Sequence, residues 1–275
     1  MYQYLWLIPW GFVIGAYGTL IGAGGGFILV PLLILFFPQE SPVIITSISL
    51  AVVFFNALSG SVAYARMGRV DYRSGLIFSA ATIPGAVLGA LSTALLPRRI
   101  LDAVLGIVMI GASLYLALHR EGEIEETGRG AVCGLRREIT EADGTRHAYS
   151  FNPLLGAALS MAVGFFSSLL GIGGGIIHVP ALVNLLNFPV HIATATSHFI
   201  LAIMALTGTV VHIVTGNFYR GSRRTIALSI GVVLGAQLGA WLAGRIHGRW
   251  ILLGLALALC LLGIRLLFLA AGVLP

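Results

Sequence analysis

Leu20-Ile21-Gly22-Ala23-Gly24-Gly25-Gly26-Phe27-Ile28-Leu29-Val30-Pro31 is the stretch that decides the fold. It places four glycines within five positions, in the middle of an apolar block running from about residue 4 to 37. As one helix that block would be about 50 Å long, too much for a single crossing of a hydrocarbon core roughly 30 Å thick. Each glycine costs about 1 kcal/mol in a helix interior relative to alanine, so the run should break the helix into two half-length pieces. The pieces are expected to fold back on each other as a re-entrant pair, because irregular backbone at membrane depth is tolerated only when buried in protein or lining a wet cavity.

The same stretch occurs twice. Gly15 to Pro31 matches Gly164 to Pro180 at an offset of 149, with nine of seventeen positions identical, including the four glycines and the Val-Pro. Further on, Ser59-Gly60-Ser61 matches Thr207-Gly208-Thr209, and the Gly85-Ala86 and Gly89-Ala90 pairs match Gly235-Ala236 and Gly239-Ala240. This is an internal duplication. Duplicated halves with glycine-interrupted segments at matching positions point to a secondary transporter and to its site.

Composition agrees. The 275 residues are 58% hydrophobic and 9% charged, against about 25% charged in a soluble domain. A soluble enzyme and a nucleic-acid binder are both excluded, since the 16 basic residues, all arginine, form no stripe. Eight apolar blocks stand at about 4–37, 42–65, 74–96, 100–118, 153–187, 189–217, 225–246 and 250–274. The expectation is an all-α polytopic membrane protein of two duplicated halves, each opening with a glycine-broken re-entrant helix pair followed by about three spanning helices. Its boundaries are a first transmembrane repeat over 1–118, a polar linker over 119–151 and a second repeat over 152–275. The linker holds seven of the ten acidic residues and reads as a surface loop or small hairpin. A re-entrant pair plus three crossings gives an odd count per half and inverts the second half, the favoured reading; were the first block to cross once, four crossings would make the repeats parallel. In either case the linker falls on the arginine-rich side, hence in the cytoplasm. No cleavable leader is read in Met1 to Trp10, and Cys133 and Cys260 make no disulfide framework.

Glycine lets backbone approach a ligand, and each half-helix after a break begins with unpaired N–H groups at a positive dipole end, a ready anion site. Gly22, Gly24, Gly25, Gly26, Gly171, Gly173, Gly174 and Gly175 are therefore candidate substrate contacts, with close helix packing as the competing use. Asn56, Ser49, Ser59, Thr196 and Thr207 are candidate polar contacts; among them Asn56 stands out, because an amide in hydrocarbon needs partners. His178, His191, His198 and His212 all lie in the second half. An intramembrane ionisable residue is a functional candidate by default, so His198 and His178 are read as proton-coupling or anion contacts, while His191 and His212 are read as hydrogen-bonded neutral residues. Asp71 and Asp102, at block edges, are expected to be solvated. No carboxylate or cysteine stands near the histidines in sequence to complete a metal site, no Walker-type phosphate loop is present, and no cofactor is expected.

Together, the duplicated glycine run, the Ser/Thr-Gly-Ser/Thr step, the Gly-Ala pairs and the central polar loop resemble the TauE/SafE family of sulfite and organosulfonate exporters. The resemblance spans nearly the whole chain except 119–151. It implies a permease of the bacterial inner membrane that moves sulfite, sulfonates or related sulfur anions outward, with substrate near the two glycine motifs. The partners expected are that anion, the lipid bilayer and further copies of the chain in a homo-oligomer. An unrelated anion, or an intramembrane histidine-dependent enzyme, is the alternative.

Overall fold

The computed structural model describes residues 4–118, 134–243 and 248–272; Cys133 and the acidic run at 121–126 lie outside them. Ten helices and one hairpin follow in order: α1 (Leu7–Ile21), α2 (Gly26–Phe36), α3 (Pro42–Arg66), α4 (Tyr72–Ser92), α5 (Arg98–Leu118), β1 (Leu135–Thr140), β2 (Arg146–Phe151), α6 (Pro153–Leu170), α7 (Gly175–Asn184), α8 (Val190–Val214), α9 (Ser222–Ala243) and α10 (Gly248–Ala270). Among the described residues, five helices are long and apolar enough to cross a membrane: α3, α4, α6, α8 and α9, the last with its preceding turn. The chain is an integral membrane protein.

The breaks form where the glycines stand. α1 stops at Gly22 (φ 83°) and α2 starts after Gly25 (φ 76°). α6 stops at Gly171 (φ 70°) and α7 starts after Gly174 (φ 48°). These are left-handed conformations that glycine adopts without a Cβ penalty. Other ends follow ordinary capping: Ser41 accepts from Ile44 N before α3, Asp71 from Ser74 N before α4, and Asn152 from Leu154 N and Leu155 N before α6.

Each broken pair doubles back. Gly25 returns against Ile14 and Gly18 of α1, and Phe36 at the far end of α2 meets Trp6 and Trp10 at ring separations of 5.0 and 5.8 Å. The chain thus enters and leaves α1–α2 at one end. In the second pair Gly174 returns against Val163 and Ser167, and Gly156, near the start of α6, lies beside Leu186, just past α7.

Packing is reciprocal between the halves. α1 lies on α9 as α6 lies on α4, α3 and α8 pack on each other at the centre, and α5 pairs with α10. The Gly-Ala pairs make the seams. Gly85 and Gly89 sit on the backbone of Met161 and Phe165, and Gly235 and Gly239 on that of Phe12 and Ala16. Such contacts bring helices close enough for dispersion to hold them where no hydrophobic force acts between them.

Residues 135–151 of the linker form a hairpin, paired from Leu135–Phe151 to Thr140–Arg146. It is fastened to both halves. Tyr149 and Phe151 pack on Phe188 at 4.5 and 5.1 Å, and Phe151 on Phe78 at 5.6 Å. The Tyr149 hydroxyl donates to Asp71 Oδ2 at 2.8 Å, and Arg69 Nε and His147 Nε2 meet Glu141 at 2.6 and 2.9 Å. Burial and the Asp71 carboxylate raise the Tyr149 phenol far above its usual range, keeping it a donor. Asp71 is accordingly buried rather than solvated, because the hairpin covers it, and Asp102 is also buried near the start of α5. The sequence gives no sign of this cover, which comes from residues about 70 positions away.

Candidate functional site

The two breaks meet in the middle of the molecule. A Cβ on Gly26 would stand 2.7 Å from the Ile172 carbonyl, and one on Gly175 would strike the Gly22 carbonyl. Each half-helix therefore begins against a carbonyl of the other break. Val53 of α3 lines Gly24, Gly26 and Gly173, and its counterpart Leu201 of α8 fills the space at Gly24. Ser49 donates to the Gly171 carbonyl, and Thr93 to the Leu169 carbonyl at 3.0 Å, satisfying the end of α6. The glycines thus provide a dry, close-packed contact between the halves, lined by Val53 and Leu201.

One helical turn from that contact lies a buried polar cluster. Asn56 is three residues on from Val53, and His198 three residues before Leu201. Both are fully buried. The Thr19 hydroxyl donates to Asn56 Oδ1 at 3.1 Å, and the Tyr64 hydroxyl donates to the Thr19 carbonyl at 2.8 Å. Asn56, Gly60 and Tyr64 are spaced four apart and form one stripe of α3. Gly60 is where His198 enters: a Cβ there would be 2.6 Å from His198 Cδ2 and 3.0 Å from Thr19 Cγ2. The Tyr64 ring meets the His198 ring edge-on at 5.6 Å.

Three polar atoms in this pocket have no hydrogen-bond partner: Asn56 Nδ2 and both ring nitrogens of His198. The Thr194 carbonyl, one turn earlier on α8, faces the His198 ring without reaching hydrogen-bonding geometry. Buried polar groups are nearly always paired, and leaving one unpaired costs about 1–3 kcal/mol. Three such atoms gather one turn from the glycine breaks.

The other candidates are placed elsewhere. Ser59 donates to the Val233 carbonyl and accepts from Gln237, joining α3 to α9. Thr207 donates to the Ile203 carbonyl of its own helix. Thr196 accepts from Asp71 N at the hairpin end of α8. His178 is paired with Ser160 Oγ at 3.0 Å. His212 departs from its expected pairing: it is buried, and neither ring nitrogen has a partner. Thr19 and Tyr64 were not singled out in the sequence. Tyr64 does continue the stripe of Asn56 and Gly60, and that spacing was the available signal.

The description "Sulfite exporter TauE/SafE" fits residues 7–266. The chain belongs to the TauE/SafE family. It is 34% identical over 269 residues, covering 95% of this chain and 96% of the relative, to the probable membrane transporter protein YunE of Bacillus subtilis. A probable membrane transporter protein of Methanocaldococcus jannaschii is 23% identical, with 97% of each chain covered. One from Xylella fastidiosa strain Temecula1 is 30% identical, over 86% of this chain and 82% of its own. No solved structure matches the chain. Family and relatives together mark a membrane transporter rather than an enzyme.

Proposed function

We propose that this TauE/SafE protein exports small sulfur oxyanions, such as sulfite or an organosulfonate, across the bacterial inner membrane. The observation that carries the reading is the buried cluster of Asn56, His198 and Thr19, with three unpartnered polar atoms one turn from the paired breaks. An oxyanion supplies several acceptors at once. The Asn56 Nδ2 amide and a protonated His198 would donate to it, while the Thr19 hydroxyl, donating to Asn56 Oδ1, holds the amide in place. The first-turn N–H groups of α2 and α7 would add to them once the breaks part. His198 would carry the compensating charge, since no arginine among the described residues joins the cluster. His178, paired with Ser160, is a candidate relay for its proton. An inside-negative potential already drives an anion outward, by about 2.3 kcal/mol per charge per 100 mV.

The halves are read as inverted repeats. Support comes from the chain entering and leaving α1–α2 at one end, so that three crossings separate it from α6. Arg66, Arg69, Arg73, Arg136, Arg137 and Arg146 then gather on the hairpin side, which the positive-inside rule assigns to the cytoplasm. Repeat boundaries at 118 and 152, and a homo-oligomer in the membrane, complete the proposal.

The test is thermal stabilisation of the detergent-purified protein by sulfite, thiosulfate, sulfate, taurine, sulfoacetate and chloride. A ligand that binds only the folded state raises stability with the logarithm of its concentration over Kd. The expected result is a shift selective for one sulfur anion. A shift with chloride equal to that with every sulfur anion would overturn the substrate class.

A further inference from the structure

The duplication that builds the pocket also builds its counterpart at the other end of the central helix pair. The duplication matches Thr19 to Ser168 at the offset of 149, and, at the offset of 148 that relates Ser59-Gly60-Ser61 to Thr207-Gly208-Thr209, Asn56 to Met204, Gly60 to Gly208, Tyr64 to His212 and Leu50 to His198. The structure repeats the approach at the glycine. A Cβ on Gly208 would stand 2.8 Å from Leu50 Cδ1 and 3.2 Å from Ser168 Oγ, as one on Gly60 meets His198 and Thr19. His212 is one turn beyond Gly208 on α8. Ser168 and His212 are 0% and 1% exposed, and Ser168 Oγ and both ring nitrogens of His212 have no partner.

The two pockets lie at opposite ends. Gly60 and Tyr64 are in the last turns of α3, beside the hairpin, whereas Gly208 and His212 are in the last turns of α8, whose first turns touch the α3–α4 corner through Thr196 and Asp71. Along α8 the fourteen residues from His198 to His212 span about 21 Å at 1.5 Å per residue. The paired breaks lie between.

We propose that Ser168 and His212 form a second station for the transported oxyanion, on the side away from the hairpin. The anion passes to it from the Asn56–His198 pocket when the breaks part. Ser168 donates its hydroxyl and His212 a ring N–H. Met204 and Leu50, where the first pocket has an amide and an imidazole, make this station the weaker one, suited to release rather than capture. The inference rests on the transport reading above.

The experiment pairs radiolabelled sulfite flux through proteoliposomes with calorimetric titration of sulfite into purified protein. The double variant Ser168→Ala/His212→Leu should keep sulfite affinity within twofold of wild type, because the first pocket is intact, and lose flux at least tenfold. Met204→Asn, which puts the first pocket's amide into the second, should tighten sulfite binding at least threefold, a gain that no folding defect produces. Wild-type flux in the double variant, loss of its binding, or unchanged affinity in Met204→Asn would each overturn the second station. Failure of the transport reading looks different: wild-type protein would neither bind nor move sulfite.

Discussion

The two pockets share a backbone and differ in chemistry. Each is built on a glycine of a long central helix, Gly60 or Gly208, against which a side chain of the other half is pressed. In the first, that side chain is His198, with Asn56 one turn below and Tyr64 one turn above. In the second it is Leu50, with Met204 and His212 in the same places. The duplication preserved the close approaches, which tolerate no Cβ, and let the polar contents diverge. Close packing is fixed by backbone geometry, whereas a side chain facing a cavity is free to change the cavity's polarity. A carrier that captures on one side and releases on the other gains from such inequality, since binding that is too tight on the exit side slows release.

The largest effect expected comes from breaking what the pockets share. Gly175→Leu drives a side chain into the Gly22 carbonyl. Overpacking alone costs about 1–3 kcal/mol, so flux should vanish and the thermal midpoint should fall by several degrees. Gly111→Leu, at a helical glycine with nothing within 4 Å, should change neither. A Gly175→Leu protein with normal flux would mean that the breaks do not move as packed units.

Next comes a change confined to the first pocket. Asn56→Leu and His198→Leu should each reduce sulfite flux at least tenfold. The thermal stability of His198→Leu should hold or rise, because replacing a buried polar group that lacks partners removes a desolvation cost. That of Asn56→Leu should only hold, because the same gain is offset by the acceptor lost to the Thr19 hydroxyl. A fall in both stability and flux would make these residues structural. Tyr64→Phe should act more mildly. It removes the donor to the Thr19 carbonyl and should cost about 0.5–1.5 kcal/mol, read as a small drop in thermal midpoint.

The smallest effect concerns the hairpin. Glu141 holds both Arg69 and His147, so Glu141→Gln should raise amide exchange over residues 135–151 without changing sulfite affinity. Unaltered exchange would leave Tyr149, Phe151 and Phe188 as the whole attachment.

The breaks were legible because four glycines in five positions leave a helix no alternative, and their repetition marked the internal duplication. The hairpin was legible only as a polar segment. That it buries Asp71 depends on Tyr149 reaching across from the other side of the linker. The membership of the first pocket was half legible. Asn56 and His198 stand out as polar groups among apolar ones. Ser59, three residues on from Asn56, meets α9 instead. Thr19 and Tyr64 join through contacts spanning 37 and 45 residues, which periodicity along one helix does not register. His212, by its spacing an ordinary core histidine, stands out only when its ring nitrogens are found without partners.

The most direct test of the central claim, that the Asn56–His198 pocket holds the anion, is the sulfite-induced thermal shift measured in wild type, Asn56→Leu and Ser168→Ala. A ligand at about 100 times its Kd stabilises the folded state by about 2.7 kcal/mol. The account predicts that shift in wild type and Ser168→Ala and its loss in Asn56→Leu. An undiminished shift in Asn56→Leu would contradict it.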